Sequence, residues 1–487
     1  MRADLLADPV DGLDEALAAV IGVDQALAAG LVRPQAAQAA GLAVLADAFS
    51  ASPLAGRVAE AAEKAAAGAA GEEHFLSLAA ARIALFGSVH DALTARIEQA
   101  TGHPRVEPGV VLPGGGQADS GGAPPIAGQT EPAASGPAPH TPQAENLVLA
   151  ARSWLADVAR AGWQGIDHEL VAGAASVISA LLPVPHLRRL AALLDGFAAE
   201  LAASCPGSAL ERIPARRWGD LWSRALLLTL PGATDVPTST VTGRLLPLGV
   251  DLHEHATAAQ AQVHAVFEPA DGTPFLVRAS VSAPKPDTVI GAGIWQVLRP
   301  HMSLLAAVSE GRSMELTAMP ITAEGDLLWR DEHAKPGEPA DPFATARVVL
   351  PAASRPQTAP LDRHPARLAV PVFLEGYVAE QSPEDGLAFT LAGHRIAVDT
   401  DRVPAAGPLT PEAVAGSTAC IGLVRWDAGT FRVQPLAVET TARKKTVALH
   451  AGAWAGGAVD KIGVKAEKAA TDAATVLRER AGRLLRK

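Results

Sequence analysis

Asp251-Leu252-His253-Glu254-His255, with His264 nine residues further on, is the densest run of chemistry-bearing side chains in this sequence. In an extended strand alternate side chains share a face, so His253 and His255 would project together, as imidazoles that hold a divalent metal do. Two ligands leave a site incomplete, and His264 is the one further candidate nearby. Together the three define a metal-dependent enzyme as one reading; the plainer one is a strand that is polar on its solvent side. His168-Glu169 and Asp331-Glu332-His333 carry the same residue types but do not extend to the His-Glu-x-x-His spacing that seats a catalytic zinc.

Other reaction signatures fail. There is no Gly-x-Ser-x-Gly nucleophile elbow. Cys205 lies in a Ser-Cys-Pro-Gly turn, and Cys420 sits in an apolar run that reads as core packing. The two cysteines are 215 positions apart and form no Cys-x-x-Cys, which excludes a thiolate zinc site and a disulfide framework and fits a reducing interior. Gly114-Gly115-Gly116 belongs to a Pro/Gly-rich stretch, and Gly291-Ala292-Gly293 lacks the third glycine and the preceding buried strand of a dinucleotide loop. No catalytic residue and no cofactor is therefore assigned. The interaction candidates lie elsewhere. Arg217-Trp218-Gly219-Asp220-Leu221-Trp222 sets two tryptophans at helical i, i+4 spacing, the usual mark of a core pair, and they read here as a seam with the β-rich part fixed by Arg217 or Arg224. Lys461, Lys465 and Lys468 share one face of a terminal helix. That helix, residues 461–487, carries a net charge of +5 against −16 for the rest, so it can lie on an anionic membrane surface or dock on an acidic partner.

These residues need elements to hold them. Leu13, Leu17, Val20, Val23 and Leu27 keep helical spacing, and Phe75, Ala79, Arg82, Phe86, Val89, Leu93 and Ile97 lay one stripe along a long helix. Arg82 falls inside that stripe, as a buried ion-pair partner would; His90 and Asp91 read as its solvent edge. Residues 106–143 hold eight prolines and eight glycines with only three charges, a composition that cannot offset the entropy of ordering. It predicts a disordered tether that sets residues 1–105, a helical bundle, apart from a helical region at 144–232. Alternation at Val263–Phe267 and Phe275–Val281 around Asp271-Gly272 predicts a hairpin, within an α+β domain at 233–365. A helix over 289–308 should break at Pro300. A second hairpin turns at Glu324-Gly325-Asp326, and a short strand is predicted near Ala346–Leu350.

Residues 366–440 predict a small β-barrel. Strands at 368–378, 387–391 and 394–398, a helix at 411–415, and strands at 418–426 and 430–438 follow the β-β-β-α-β-β order of an OB-fold. Such folds stack bases on aromatic residues in a basic groove, and Phe373, Tyr377, Phe389, Trp426 and Phe431 are available. The segment carries a net charge of −4, which disfavours single-strand nucleic-acid binding. The basic helix at 441–487 follows. With 41 basic against 52 acidic residues the whole chain is also a poor polyanion binder. The acidic N-terminal text predicts no signal peptide, and the longest uncharged apolar stretch, Val171–Pro185, falls short of a bilayer; a cytoplasmic protein is expected.

Two segments carry a resemblance: Arg217-Trp218-Gly219-Asp220-Leu221-Trp222-Ser223-Arg224-Ala225, and Gly422-Leu423-Val424-Arg425-Trp426-Asp427 running on to Val433-Gln434-Pro435-Leu436. Both are similar to segments of uncharacterised high-GC bacterial proteins encoded beside a MoxR-type AAA+ ATPase, a von Willebrand factor A protein and a SWIM zinc-finger protein. The chain has neither the zinc-ligand pattern of the last nor the phosphate loop of the first. The resemblance implies a companion of those proteins, with an AAA+ ATPase or a von Willebrand A protein as partner. The expectation is a multidomain α+β protein acting as a non-enzymatic accessory or scaffold in a multi-protein system.

Overall fold

The computed structural model describes residues 2–103, 142–233, 238–255, 258–270, 272–286, 289–298, 302–383, 386–442, 445–458 and 460–484. The expected tether falls almost wholly outside them. On either side of it lie helices α1 (Asp4–Ala7), α2 (Leu13–Ala29), α3 (Ala36–Ala48), α4 (Ala55–Ala66) and α5 (Glu72–Thr101), then α6 (Pro142–Ala161), α7 (His168–Ala172), α8 (Ala174–Leu181), α9 (Arg188–Ala203) and α10 (Ala215–Leu227). The two sets are not separate modules. Val23, Leu27, Leu45 and Phe75 share one apolar core with Leu155, Trp163, Phe197, Trp218 and Trp222. Trp163 meets both Trp218 and Phe197 edge-on with ring centres 6.0 Å apart, a favoured aromatic geometry. Each set supplies an amphipathic face that the other covers.

The stripe on α5 is buried along its length, but it serves two cores. Phe75 to Phe86 belong to the helical core. Val89, Leu93, Ile97 and Ala100 pack instead with Val370, Val372 and Leu374 of a β-sheet far down the chain. Arg82 is fully buried. Its Nε donates to Asp24 Oδ1 at 2.7 Å and its Nη2 to the Arg216 carbonyl at 3.0 Å, the pairing a buried charge requires. The α10 residue facing this pair is Gly219, where a Cβ would stand 2.4 Å from Asp24 Oδ1. Contrary to the sequence reading, His90 is buried at 3 % exposure, because α5 is covered on that side by the segment carrying Arg355 and Arg363; only Asp91 remains at the surface.

The first sheet comprises β1 (Thr238–Glu254), β2 (Ala258–Pro269), β3 (Phe275–Pro284), β4 (Arg312–Thr322), β5 (Asp326–Leu327) and β6 (Ala334–Pro339), with α11 (Gly293–Leu298) and α12 (Met302–Glu310) between β3 and β4. Pro300, where a break is expected, lies outside the described residues. The predicted hairpin is present, with Val263 opposite Ala279 and Phe267 opposite Phe275. The strand expected near Ala346–Leu350 is instead the helix α13 (Pro342–Val348). Asp341 caps it by accepting from the Phe343 N–H, and Pro342 occupies the first turn, where a missing N–H costs nothing.

The second sheet holds β7 (Val370–Glu375), β8 (Val378–Ser382), β9 (Gly386–Leu391), β10 (His394–Val398), β11 (Ser417–Asp427), β12 (Thr430–Ala442) and β13 (Lys445–His450), with α14 (Pro411–Ala415) ahead of β11. Each sheet repeats one pairing scheme. The first three strands form a meander, the third runs parallel to the fifth, the fifth pairs with the fourth, and the fourth returns to the first, while β6 adds beside the fourth. In the second sheet the first strand is split into β7 and β8 at Gly376-Tyr377, and otherwise the order of the five is the same. The basic helix expected over 441–487 is confined to α15 (Lys461–Leu484), because residues 445–450 pair with β12 as β13 instead.

Candidate functional site

A β-bulge between Pro247 and Gly249 in β1 sets which side chains face the second sheet. Beyond it, cross-strand neighbours fall in rows on one face: Gly249–His264–Arg278, Asp251–Gln262–Ser280 and His253–Gln260–Ser282. Ahead of it the corresponding row is Leu246–Val266–Leu276, which packs on Ile421 and Ala437 of the second sheet. The interface between the sheets is therefore apolar at one end and polar at the other.

Asp251 is the centre of the polar end, at 2 % exposure. Its Oδ2 accepts from Arg425 Nη2 at 2.6 Å and its Oδ1 from Gln434 Nε2 at 2.7 Å, while Arg425 Nε donates to Gln434 Oε1 at 2.6 Å. The imidazole of His253 stands 3.0 Å from Asp251 Oδ2 through Nε2. Burial by itself would raise the Asp251 carboxyl. The His253 hydrogen bond and the Arg425 charge overcome it and hold the group far below the usual carboxylate range. The triangle ties β1 to β11 and β12, elements 174 and 183 residues distant in sequence.

His253 is about one-third exposed and opens on a cleft of 350 Å³ that His255, Asp401 and Arg402 also line. A carboxylate-anchored imidazole at a cleft wall can relay a proton; among the described residues no serine, threonine or cysteine lines that cleft. The metal reading fares worse. His255 lies beyond the end of β1 and is exposed, and His264 lines a different cavity from the other two. Among the described residues no group of three His, Cys, Asp or Glu side chains is placed to hold a metal ion. The histidines fail to converge because one strand of the pair ends and the other carries His264 two rows away.

The interaction candidates divide. Trp218 and Trp222 are buried in the helical core, with Trp222 Nε1 donating to the Leu155 carbonyl at 2.9 Å, so neither offers a surface. Arg217 is exposed and paired with Glu200 on α9. The seam expected beside them is carried by Arg224, whose Nε donates to Asp220 at 2.9 Å and whose Nη1 lies 3.6 Å from Asp362. Lys461, Lys465 and Lys468 are exposed along α15. Other sides of that helix are fixed: Gln296 Nε2 donates to Thr471 Oγ1 at 2.9 Å, and Gly463 packs against the Trp454 ring. Of the aromatics considered for base stacking, Tyr377, Phe389 and Phe431 are buried and Phe373 and Trp426 half-buried, with Tyr377 stacked on Phe389 at 3.9 Å. They are spent on the core.

Neither protein-family models, nor curated proteins, nor solved structures contain a match to this chain. The Asp251–Arg425–Gln434 triangle is the feature that sequence reading missed. Arg425 and Gln434 lie in the quoted β11 and β12 segments, where their polar character inside apolar strands was the available signal.

Proposed function

We propose that this chain is a non-enzymatic accessory or scaffold protein of a cytoplasmic multi-protein system, built as one body that presents a basic helix. The observation that carries this reading is the setting of α15. The helix is pinned by Gln296 and Trp454, while Lys461, Lys465 and Lys468 stay in solvent. A positive helix fixed on an acidic body attracts an acidic protein surface at long range, and fixing it lowers the entropy lost on docking. The resemblance noted above makes an AAA+ ATPase or a von Willebrand A protein the partner of choice. The buried ionic groups agree with a structural role, since Asp24–Arg82, Arg224–Asp362 and Asp251–Arg425 each join distant parts of the chain.

The second sheet fits an OB-like barrel in this reading. Its support is the pairing order together with β7 and β8, which occupy the two ends of the sheet and are separated only by Gly376-Tyr377. Here the barrel acts as a packing unit. The test is capture from native lysate with the full chain and with a K461E/K465E/K468E variant, with partners identified by mass spectrometry. Salt-sensitive enrichment of an AAA+ or von Willebrand A protein by the unaltered chain alone is expected. Equal recovery by both, or a monodisperse monomer without partner, overturns the proposal.

A further inference from the structure

On the same face of the first sheet as Asp251, but toward the helical unit, lies a second polar cavity that neither the scaffold role nor the inter-sheet triangle uses. It has a volume of 50 Å³ and is lined by His264 of β2, Arg278 of β3, His90 of α5, and Arg355 and Arg367 of the segment leading into the second sheet. Three arginines thus border one small space, and Glu324 is the carboxylate-bearing residue on its lining. A cavity of this size exceeds the roughly 10–15 Å³ needed to admit one water, so it has room for a group larger than a single water.

The donors on its wall are incompletely used. His264 is 1 % exposed, and its Nε2 is buried with no hydrogen-bond partner among the described residues. Arg355 Nη2 donates to Thr94 Oγ1 at 3.2 Å, but its Nη1, sealed from solvent, lies 4.0 Å from Glu98 Oε1, too far to hydrogen-bond. Arg278 gives one amino group to Asp326 at 2.8 Å, and Arg367, half exposed at the outer end, gives one to Asp362 at 2.6 Å. Unmade hydrogen bonds to buried charged groups are costly, and two neighbouring guanidinium groups repel. Burial foremost, opposed by Glu98 and reinforced by Arg278, draws the Arg355 guanidinium below its ordinary value.

We infer that this cavity is a binding site for a tetrahedral oxyanion of the phosphate class, held by Arg355, Arg278 and His264 between the helical unit and the first sheet. Guanidinium groups match the geometry of phosphate oxygens and retain their charge when buried, and His264 in the tautomer protonated at Nε2 supplies a neutral donor. The phosphate is either the free ion or the terminus of a small phosphomonoester entering beside Arg367.

Isothermal titration of the full chain with inorganic phosphate, at constant ionic strength with chloride as reference, tests the site. Saturable binding to phosphate and not to chloride is expected, about tenfold or more weaker in Arg355→Gln and in His264→Leu. Circular dichroism checks that each variant is folded; if one is not, the other reads the site. A parallel titration with glycerol phosphate assigns the source, since binding of the monoester marks a terminal phosphate and its rejection a free ion. Absence of saturable phosphate binding over chloride in the unaltered chain overturns the inference, as does undiminished affinity in a folded variant.

Discussion

Replacing Arg425 by leucine tests the role assigned to the inter-sheet triangle. The substitution leaves the Asp251 carboxylate at 2 % exposure without its 2.6 Å guanidinium partner and frees Gln434 Oε1. Removing one member of a buried pair costs about 3–5 kcal/mol, whereas replacing both by apolar groups is often close to neutral. Urea titration followed by tryptophan fluorescence should therefore show a loss of about 3–5 kcal/mol in Arg425→Leu and a smaller loss in the Asp251→Leu/Arg425→Leu double variant. A pH series adds a second reading. The unfolded carboxyl titrates near 3.9, whereas the folded one is held far lower, with burial opposing and His253 and Arg425 prevailing. The unfolded state thus binds the proton first, so this contribution is complete above about pH 5 and drains away as pH falls toward the folded value. Arg425→Leu should flatten that acid limb. A cost under about 1 kcal/mol, the worth of an exposed pair, or a double variant as damaged as the sum of the singles, would refute the account.

Two further outcomes follow from the helical unit. Because residues on both sides of 104–141 build one core, fragments 1–103 and 142–487 expressed together should co-elute as a stable complex on size exclusion; independent elution would show that the shared core does not hold them. Gly219→Ala places a methyl group 2.4 Å from Asp24 Oδ1 and 3.0 Å from Arg82 Nη2, so it should destabilise the chain by about 1–3 kcal/mol in chemical denaturation, and an unchanged midpoint would contradict the close approach.

How much of this was legible in the sequence depends on the range of the interaction. Periodicity is local, so the α5 stripe and the ion-paired role of Arg82 could be read, as could β7, β9, β10, β11 and β12; β8, short and mostly exposed, shows no such pattern. The apolar run at 346–350 reads locally as a strand, whereas the Asp341-Pro342 start signal just before it sets the helix α13. Nothing local says which side of a helix another part of the chain will cover, and so His90 was placed in solvent. The same limit hid the union of the two helical sets across residues 106–143, since an unordered-looking stretch speaks for itself and not for what its ends do. Trp218 and Trp222, at the spacing usual for a core pair, read as a seam with the β-rich part, and the core of the helical unit holds both. At the candidate site, His253 and Asp251 were picked out by type, yet their partners Arg425 and Gln434 arrive from strands more than 170 residues away.

The double allegiance of α5 has a consequence for how such a protein can change over generations. One rod carries Phe75 and Phe86 in one interior and Val89 and Ile97 in another, so adding a single residue between them would turn the two halves by about 100° relative to each other. Both interiors would then lose their register at once. Recombination could not trade the front of this molecule for another as a cassette without a matching change in the sheet that its long helix covers.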